Sequence, residues 1–449
     1  MSPDGKRVAF SPPGATDVPR EIWVMGGQGD NPQKVLAVGE DDLLNVHWSP
    51  DGKRLAYLRE QWTPQGYHGT IETCDLAGAN ITTVVSFEGP GGFWWLPDGR
   101  VVYAVGGALD KGSLWQVGVD GRSGKPSSKP TRVNQWADSF IRNLSASADG
   151  KRLTFLKGTF SAQAYLGELS AGGTRMNPPR RLTNDEANYS PFSWTADSKA
   201  VLFGSDRNGT WGIFKQGINQ DAAEAVVTLP QGVGLGFGRL SPDGAFVLYM
   251  ETPRAGSAPS RLMRIPANGG VPQLVLETKG GESFDCARAP ADLCVLYEAS
   301  EDRKDILLTA FDTLKGRGRL LRTVENPSAQ FLWSGLSPDG STFALSQAGE
   351  AEIHIRLLSF SGSADREITL KGWPYLTALD WSADGKGFYV GSGASQGPTL
   401  LYTDLNGNAK VLWQFKGAGD TWGVPSRDGR YLAIRGDVFN SNVWMLEGF

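Results

Sequence analysis

Histidine is scarce in this chain of 449 residues, which has only His47, His68 and His354. A zinc site or a hydrolase triad needs a histidine close to its partner residues. The three histidines fall in different predicted elements, so we expect each to be structural or on the surface. The sequence therefore predicts no catalytic residues, no metal site and no cofactor.

Long apolar runs and an excess of one charge are also missing. No stretch approaches the roughly 18 apolar residues that a membrane-spanning helix needs, and Met1 leads directly into Ser2-Pro3-Asp4-Gly5 rather than into a signal peptide. Lys and Arg number 44 against 48 Asp and Glu, a net charge of −4. Since nucleic-acid binders usually carry a basic face, we expect no nucleic-acid partner and no membrane segment in this chain.

Glycine (58), proline (26) and tryptophan (15) are plentiful instead. Many turn residues together with large flat side chains favour an all-β protein. No helical periodicity of useful length is present. A chain of this length exceeds one ordinary core, so it predicts several domains or a repeat architecture.

A four-residue turn element recurs ten times. Its complete form, Ser-Pro-Asp-Gly, begins at Ser2, Ser49, Ser241 and Ser337, and six copies are degenerate. Proline presets the first corner, Asp bonds back to the following backbone, and Gly accepts a positive φ, so each copy predicts a hairpin turn. The third positions are spaced by 44 to 51 residues and are Asp4, Asp51, Asp98, Asp149, Asp197, Asp243, Ala291, Asp339, Asp384 and Asp428.

Each turn is followed by strands. Apolar residues alternate after it, as at Val247 and Tyr249, which is the period of a β-strand. Most repeats add a third and a fourth strand, such as 261–265 and 273–276. Four strands in a repeat of this length are typical of a propeller blade, so the sequence predicts an all-β propeller with ten four-stranded repeats, the first of them beginning part-way through.

The arrangement of the ten repeats has two solutions. The last repeat has no fourth strand of its own, and propellers usually close by pairing strands from the two chain ends. We favour a seven-bladed propeller over residues 131–449, in which Thr131–Trp136 pairs with Asn442–Leu446. Residues 1–130 would then be three repeats of a second, partial propeller, joined through a linker at 123–130. The alternative is one ten-bladed ring.

Several segments resemble known propeller repeats. Ser2–Phe10 and Ser49–Tyr57 share the form Ser-Pro-Asp-Gly-Lys-Arg-x-Ala-aromatic, and Ser205-Asp206-Arg207-Asn208-Gly209 follows a second strand. Over its whole length the chain resembles TolB-like, WD-repeat-like propellers, which also occur in the tricorn protease and in prolyl-oligopeptidase relatives.

A finer likeness is carried by 214–216, 261–264, 286–290, 310–312, 315–318 and 441–447. These segments resemble the C-terminal sensor region of bacterial membrane-anchored serine/threonine kinases or winged-helix transcriptional regulators. The resemblance implies a non-catalytic sensor or protein-interaction module in an extracytoplasmic (periplasmic) compartment, with a kinase or winged-helix domain upstream. Kinase motifs are missing from the chain itself. The alternatives are the propeller of a prolyl-oligopeptidase-type peptidase, or a propeller enzyme acting on carbohydrate.

A candidate binding site lies where the innermost strands begin. These positions ring one mouth of a propeller channel, where a protein, peptide or small-molecule ligand would bind. Packing between blades is the other interpretation of the same residues. They are Arg142, Tyr189, Phe237, Phe284, Trp333, Tyr375 and Trp422.

Two further features have competing interpretations. Cys286 and Cys294 flank one turn on facing strands, so a disulfide and two buried thiols both fit, and a disulfide would match an oxidising compartment. Residues 393–397 match the Gly-x-Ser-x-Gly pattern of a nucleophile elbow. That elbow needs a helix after it, whereas a strand is predicted here, so we interpret it as a loop.

Overall fold

The structure is a computed structural model. It describes the chain except for residues 13–19, 40, 64–65, 90, 107–111, 135, 137–138, 186, 254–258, 279–282, 302–303, 326–331, 348–351, 395–396 and 418.

Within the described residues every regular element is a β-strand, and the paired strands are antiparallel. The strands assemble into successive small sheets of mostly four members in chain order. All ten predicted turn elements form turns. The all-β propeller fold predicted from the sequence is confirmed.

Side-chain hydrogen bonds hold the turns. Ser241 Oγ donates to Asp243 Oδ1 (2.6 Å) and accepts from the amide of Phe246 (2.9 Å). Asp243 Oδ1 also accepts from the amide of Ala245 (3.0 Å), and Gly244 takes a φ of 77°. The serine and the aspartate together therefore satisfy the backbone donors at the corner, which explains why this pair of residue types recurs.

The chain forms two compact units. Unit 1 contains residues 1–160 and 440–449, and unit 2 contains residues 161–439.

Unit 1 consists of four sheets, two of them four-stranded. The inner strands of successive sheets, β4, β8 and β12, contact one another in order. The strands of unit 1 are β1 (Arg7–Phe10), β2 (Glu21–Gly26), β3 (Gln33–Ala37), β4 (Asp42–Trp48), β5 (Arg54–Thr63), β6 (Gly66–Asp75), β7 (Thr82–Glu88), β8 (Gly91–Trp95), β9 (Arg100–Val105), β10 (Ser113–Gly118), β11 (Thr131–Arg132), β12 (Phe140–Ala146) and the first half of β13 (Arg152–Ser170). Its last sheet is completed by residues 440–447 of the final strand of the chain.

Unit 2 contains five four-stranded blades in chain order. Their strands are β16–β19 (Tyr189–Trp194, Ala200–Ser205, Gly212–Gly217, Glu224–Thr228), β20–β23 (Val233–Leu240, Phe246–Pro253, Ser260–Pro266, Gln273–Thr278), β24–β27 (Ser283–Cys286, Cys294–Ala299, Asp305–Asp312, Gly316–Glu325), β28–β31 (Leu332–Leu336, Thr342–Gln347, Ile353–Ser359, Arg366–Leu370) and β32–β35 (Leu376–Trp381, Gly387–Ala394, Gly397–Asp404, Ala409–Gln414). Two short strands precede them, β14 (Arg175–Met176) and β15 (Arg180–Arg181), and β36 (Thr421–Pro425) and β37 (Tyr431–Glu447) follow them.

A sixth blade closes unit 2 with strands from both ends of the unit. Its order is β36, residues 431–439 of β37, residues 161–170 of β13, and β15. The inner strands β16, β20, β24, β28, β32 and β36 contact their neighbours in a closed cycle. The indole nitrogen of Trp194 donates to the carbonyl of Val424 (2.9 Å), which joins the first blade to the sixth. Unit 2 is therefore a closed six-bladed ring.

The predicted closing pair is corrected by the structure. Thr131–Arg132 pairs with Gln116 and Trp115 of its own sheet, whereas β37 pairs with β13. Trp136 contacts Trp444 ring to ring, with the centroids 6.4 Å apart. The ten repeats therefore divide as four and six, and not as three and seven with a boundary near residue 130. The reason is that residues 152–170 form one uninterrupted strand, as do residues 431–447, where most repeats have a loop.

Candidate functional site: the channel of unit 2

Three aromatic rings meet at one end of the channel of unit 2. Phe237, Trp333 and Trp422 come from the inner strands β20, β28 and β36. The ring of Trp422 lies 5.4 Å from that of Phe237 and 6.1 Å from that of Trp333. We refer to these three residues as the mouth cluster. Each lies six residues before the aspartate of its turn element, so the repeat places all of them at the same end of the ring.

Trp422 has an unsatisfied donor in this cluster. Its side chain is 8% exposed, and its indole nitrogen has no hydrogen-bond partner among the residues that the structure describes. A buried indole N–H normally finds an acceptor. The hydroxyl of the neighbouring Thr421 is also buried and has no hydrogen-bond partner among the described residues. The mouth therefore contains a buried indole donor that a bound molecule could satisfy.

Below the mouth cluster, a buried arginine crosses the channel. The guanidinium of Arg239 lies 5.8 Å from the ring centre of Phe237 and 5.7 Å from that of Trp422, which is cation–π distance. Its Nε donates to Asp285 (3.1 Å) and its Nη2 donates to Asp380 (3.2 Å). Arg239, Asp285 and Asp380 form the channel network, and they come from β20, β24 and β32.

Arg239 and Asp285 of this network also form hydrogen bonds with the backbone. Arg239 Nη1 donates to the carbonyl of Phe192 (2.7 Å), and Asp285 accepts backbone N–H groups from Cys286 (2.8 Å) and Leu336 (3.0 Å). Burial raises the pKa of Asp380 to about 6, although the charge of Arg239 opposes that shift. Asp380 therefore takes up a proton in mildly acidic solution.

Two more arginines lie toward the turn end of the channel. Arg288 follows β24, and Arg427 belongs to the turn after β36. Together with the channel network they line a cavity of about 40 Å³. Burial lowers the pKa of both guanidinium groups, that of Arg427 to about 10, and the charge of Arg288 adds to the shift of Arg427.

Comparison with known proteins shows similarity of fold only. No family model and no curated protein matches the chain. Among solved structures it is similar to a TolB protein from Agrobacterium tumefaciens, with 17% identity and a TM-score of 0.48, over 62% of this chain and 99% of that one. A nidogen/laminin complex is similar at 12% identity and a TM-score of 0.43, over 62% and 98% of the two chains. Oligogalacturonate lyase in complex with manganese is similar at 13% identity and a TM-score of 0.32, over 89% and 86%.

The remaining residues predicted at the mouth are dispersed. Tyr189 is buried, packs against Phe203 and donates its hydroxyl to Asp185. Phe284 is buried against Phe311 inside its own blade. Tyr375 is 54% exposed, just before β32. Arg142 belongs to β12 of unit 1, so it is no part of the six-bladed ring.

The channel charges were missed by the sequence reasoning. A signal existed, because Arg239, Asp285 and Asp380 each interrupt an apolar inner strand just before a turn. Charged residues are rarely buried without a partner, so opposite charges at equivalent inner-strand positions indicate a network across the axis. The aromatic residues at the strand starts are the stronger sequence pattern, and they do not indicate this network.

The other candidate residues lie elsewhere. Cys286 and Cys294 form a disulfide. Of the Gly-x-Ser-x-Gly pattern, Ser395 is outside the described residues, and the pattern connects β33 to β34, two strands of one hairpin. His47 packs against the rings of Phe93 and Trp94 in unit 1.

No described helix is long and apolar enough to cross a membrane. No group of three or more His, Cys, Asp or Glu side chains in that part of the chain could hold a metal ion.

Proposed function

We propose that the chain is a non-catalytic recognition module, and that the six-bladed ring of unit 2 binds a protein, a peptide or a small molecule at the mouth cluster. The observation that supports this most directly is Trp422. Its indole N–H is buried without an acceptor among the described residues, although its ring packs on two aromatic neighbours at the channel. A ligand with a carbonyl or carboxylate group would supply that acceptor.

The composition of the cluster supports the same function. Phe237 and Trp333 are half-buried, so part of each side chain remains accessible to solvent. Tryptophan and tyrosine contribute a disproportionate share of binding energy at interfaces, often about 2 kcal/mol or more for each hot-spot residue. Arg239 beneath the rings fixes their geometry through cation–π contacts, so little order would be lost on binding.

We further propose that this module is the sensor part of a larger bacterial signalling protein, with a kinase or winged-helix domain upstream and the propeller outside the cytoplasm. The disulfide between Cys286 and Cys294 supports an oxidising compartment. The link to kinases and winged-helix regulators rests on the sequence segments named above.

The experiment is a selection from a displayed random peptide library on the full chain, followed by affinity measurements on variants. Trp422→Phe removes the indole donor but keeps an aromatic ring. Trp333→Ala removes a half-buried ring. Each change should weaken the selected peptides at least tenfold, the equivalent of about 1.4 kcal/mol. Trp422→Ala is less informative because truncating a buried tryptophan costs about 3–5 kcal/mol of stability.

Trp444→Ala is the matched control. Trp444 is a tryptophan in unit 1 with 44% of its surface exposed. Its substitution by alanine should leave peptide affinity unchanged. Peptides that bind all three variants as tightly as the unmodified chain would place recognition away from the mouth cluster. Melting temperatures of the variants separate lost binding from lost folding.

A further inference from the structure

The turn end of the unit 2 channel carries more arginine than carboxylate. Three guanidinium groups (Arg239, Arg288, Arg427) line the same small cavity as two carboxylates (Asp285, Asp380). Arg239 uses its Nε and Nη2 on those two carboxylates. Both carboxylates of the cavity are thus bonded to Arg239, and the other two arginines, Arg288 and Arg427, exceed the number of carboxylates there.

Neither of these arginines forms an ion pair with a carboxylate in the described part of the chain. Arg427 donates Nη1 to the carbonyl of Pro242 (3.1 Å) and Nη2 to the carbonyl of Ser241 (2.9 Å), and both acceptors are neutral. Arg288 Nη1 is buried and has no hydrogen-bond partner among the described residues. Burying a guanidinium without a counter-charge is unfavourable, so this arrangement costs stability in the unliganded protein.

The acidic side chain whose charge acts on Arg427 forms no ion pair with it among the described residues. Asp243 is the turn aspartate, and its carboxylate accepts from Ser241 Oγ (2.6 Å) and from the amide of Ala245 (3.0 Å). It is thus engaged in holding its own turn. Burial is the main cause that lowers the pKa of both guanidinium groups, and the charge of a neighbouring arginine adds to it, Arg239 for Arg288 and Arg288 for Arg427.

We propose that the turn end of the channel binds a carboxylate group between Arg288 and Arg427. A planar carboxylate matches the fork of guanidinium donors and accepts two hydrogen bonds at once. The cavity of about 40 Å³ admits one such group and excludes a large ligand. The carboxylate comes either from a small organic acid or from the terminus of a peptide. This site is separate from the mouth cluster and does not depend on the function proposed there.

The experiment uses ¹³C-labelled acetate as the probe and the full chain as the protein. Binding is measured by broadening of the acetate carboxylate signal at constant ionic strength, with ¹³C-acetamide as the neutral analogue. We expect broadening by acetate and none by acetamide. Arg288→Gln and Arg427→Gln should each weaken acetate binding about tenfold or more, the effect of removing a charge-assisted hydrogen bond. A peptide with a free terminal carboxylate that displaces acetate, where its amidated form does not, identifies the peptide source.

A second measurement separates binding from structure. Because Arg288 is unfavourable when no anion is bound, Arg288→Gln should keep or raise the melting temperature in the absence of acetate. Arg430→Gln is the control. Arg430 is an exposed arginine three residues beyond Arg427 and is paired with Asp428 (2.7 Å), so the substitution should leave acetate binding unchanged. The proposal would be overturned if the Arg288→Gln and Arg427→Gln variants bound acetate as tightly as the unmodified chain does. A lower melting temperature for Arg288→Gln without acetate would also overturn it.

Discussion

At the scale of single residues, His47 lies in an environment that disfavours the protonated form of its imidazole. Its ring packs edge-on against Phe93 (4.9 Å) and lies 4.4 Å from the ring of Trp94. Burial, together with the charge of the chain's N-terminal amine, lowers the pKa of His47 from 6.5 to about 4. The histidine is therefore neutral at physiological pH and acts as a packing residue of unit 1.

The first prediction concerns the pH dependence of unit 1. The unfolded chain takes up a proton at His47 near pH 6.5, whereas the folded chain does so only near pH 4. Stability is thus complete above pH 6.5 and falls as the pH decreases toward 4. The loss is at most about 3 kcal/mol, at roughly 1.4 kcal/mol for each unit of pKa. Urea unfolding at pH 7.5 and pH 5 measures it, and nuclear magnetic resonance titration gives the imidazole pKa directly.

The matched variants for this prediction are His47→Phe and His354→Gln. His47→Phe removes the titrating group and should reduce the stability loss between pH 7.5 and pH 5. His354 is partly exposed and bonds to Glu367 (3.1 Å), so His354→Gln should leave the His47 contribution in place. An imidazole pKa for His47 near 6.5 would contradict the prediction.

The sequence predicts single residues well where a local rule governs them. Ser241 and Asp243 could be assigned to a turn because the turn satisfies its own backbone groups through neighbouring side chains. Phe237 and Trp422 could be assigned to the same mouth because they occupy equivalent repeat positions. The contact between Arg239 and Asp380 depends on which blades face each other across the ring, and that follows from the number of blades, which the sequence left open.

At the scale of elements, the hairpin of β24 and β25 differs from the others. Its turn has Ala289 where most other repeats have Ser, and Ala291 where all the others have Asp. The side-chain hydrogen bonds that hold the other turns are therefore not available to it. Instead, Cys286 and Cys294 are direct register partners and are joined by a disulfide. The covalent bond supplies the local constraint that the degenerate turn element lacks.

The second prediction follows from that disulfide. Under denaturing conditions without reductant, thiol counting should find one free cysteine, Cys74, and after reduction it should find three. In the native protein Cys74 should not react, because it is buried and its thiol pKa is raised to about 12. Replacing both disulfide cysteines with serine should lower stability by about 2.5 kcal/mol for a loop of this length. Three reactive thiols before reduction would remove the argument for an oxidising compartment.

The long strands β13 and β37 show where element prediction from sequence fails. In most repeats a loop rich in turn residues separates the second and third strands, as at Asp206–Gly209. Residues 157–165 contain one glycine and no proline, asparagine or aspartate, so no residue there imposes a reversal. One strand consequently supplies the second strand of a unit 1 sheet and the third strand of the last unit 2 blade. A repeat count alone does not reveal such sharing.

At the scale of the whole molecule, the closing blade determines which part of the chain each unit needs. The ring of unit 2 is completed by residues 431–439 beside β36 and residues 161–170 of β13. Residues 440–447 extend the sheet of β12 in unit 1 instead. Shortening the chain from its C-terminus should therefore affect the two units in sequence, first unit 1 and then unit 2.

The third prediction compares chains ending at residue 439 and at residue 430 by amide hydrogen exchange. The 1–439 chain keeps every strand of the sixth blade, so exchange in β16 and β32 should match that of the full chain. Exchange in β12 should rise, because its sheet loses residues 440–447, and this is an internal control. The 1–430 chain loses the strand next to β36, so exchange in β16 and β32 should rise at least about a hundredfold as the ring opens. Faster exchange of β16 and β32 already in the 1–439 chain would show that residues 440–449 hold the ring, which is the closure that the sequence first suggested.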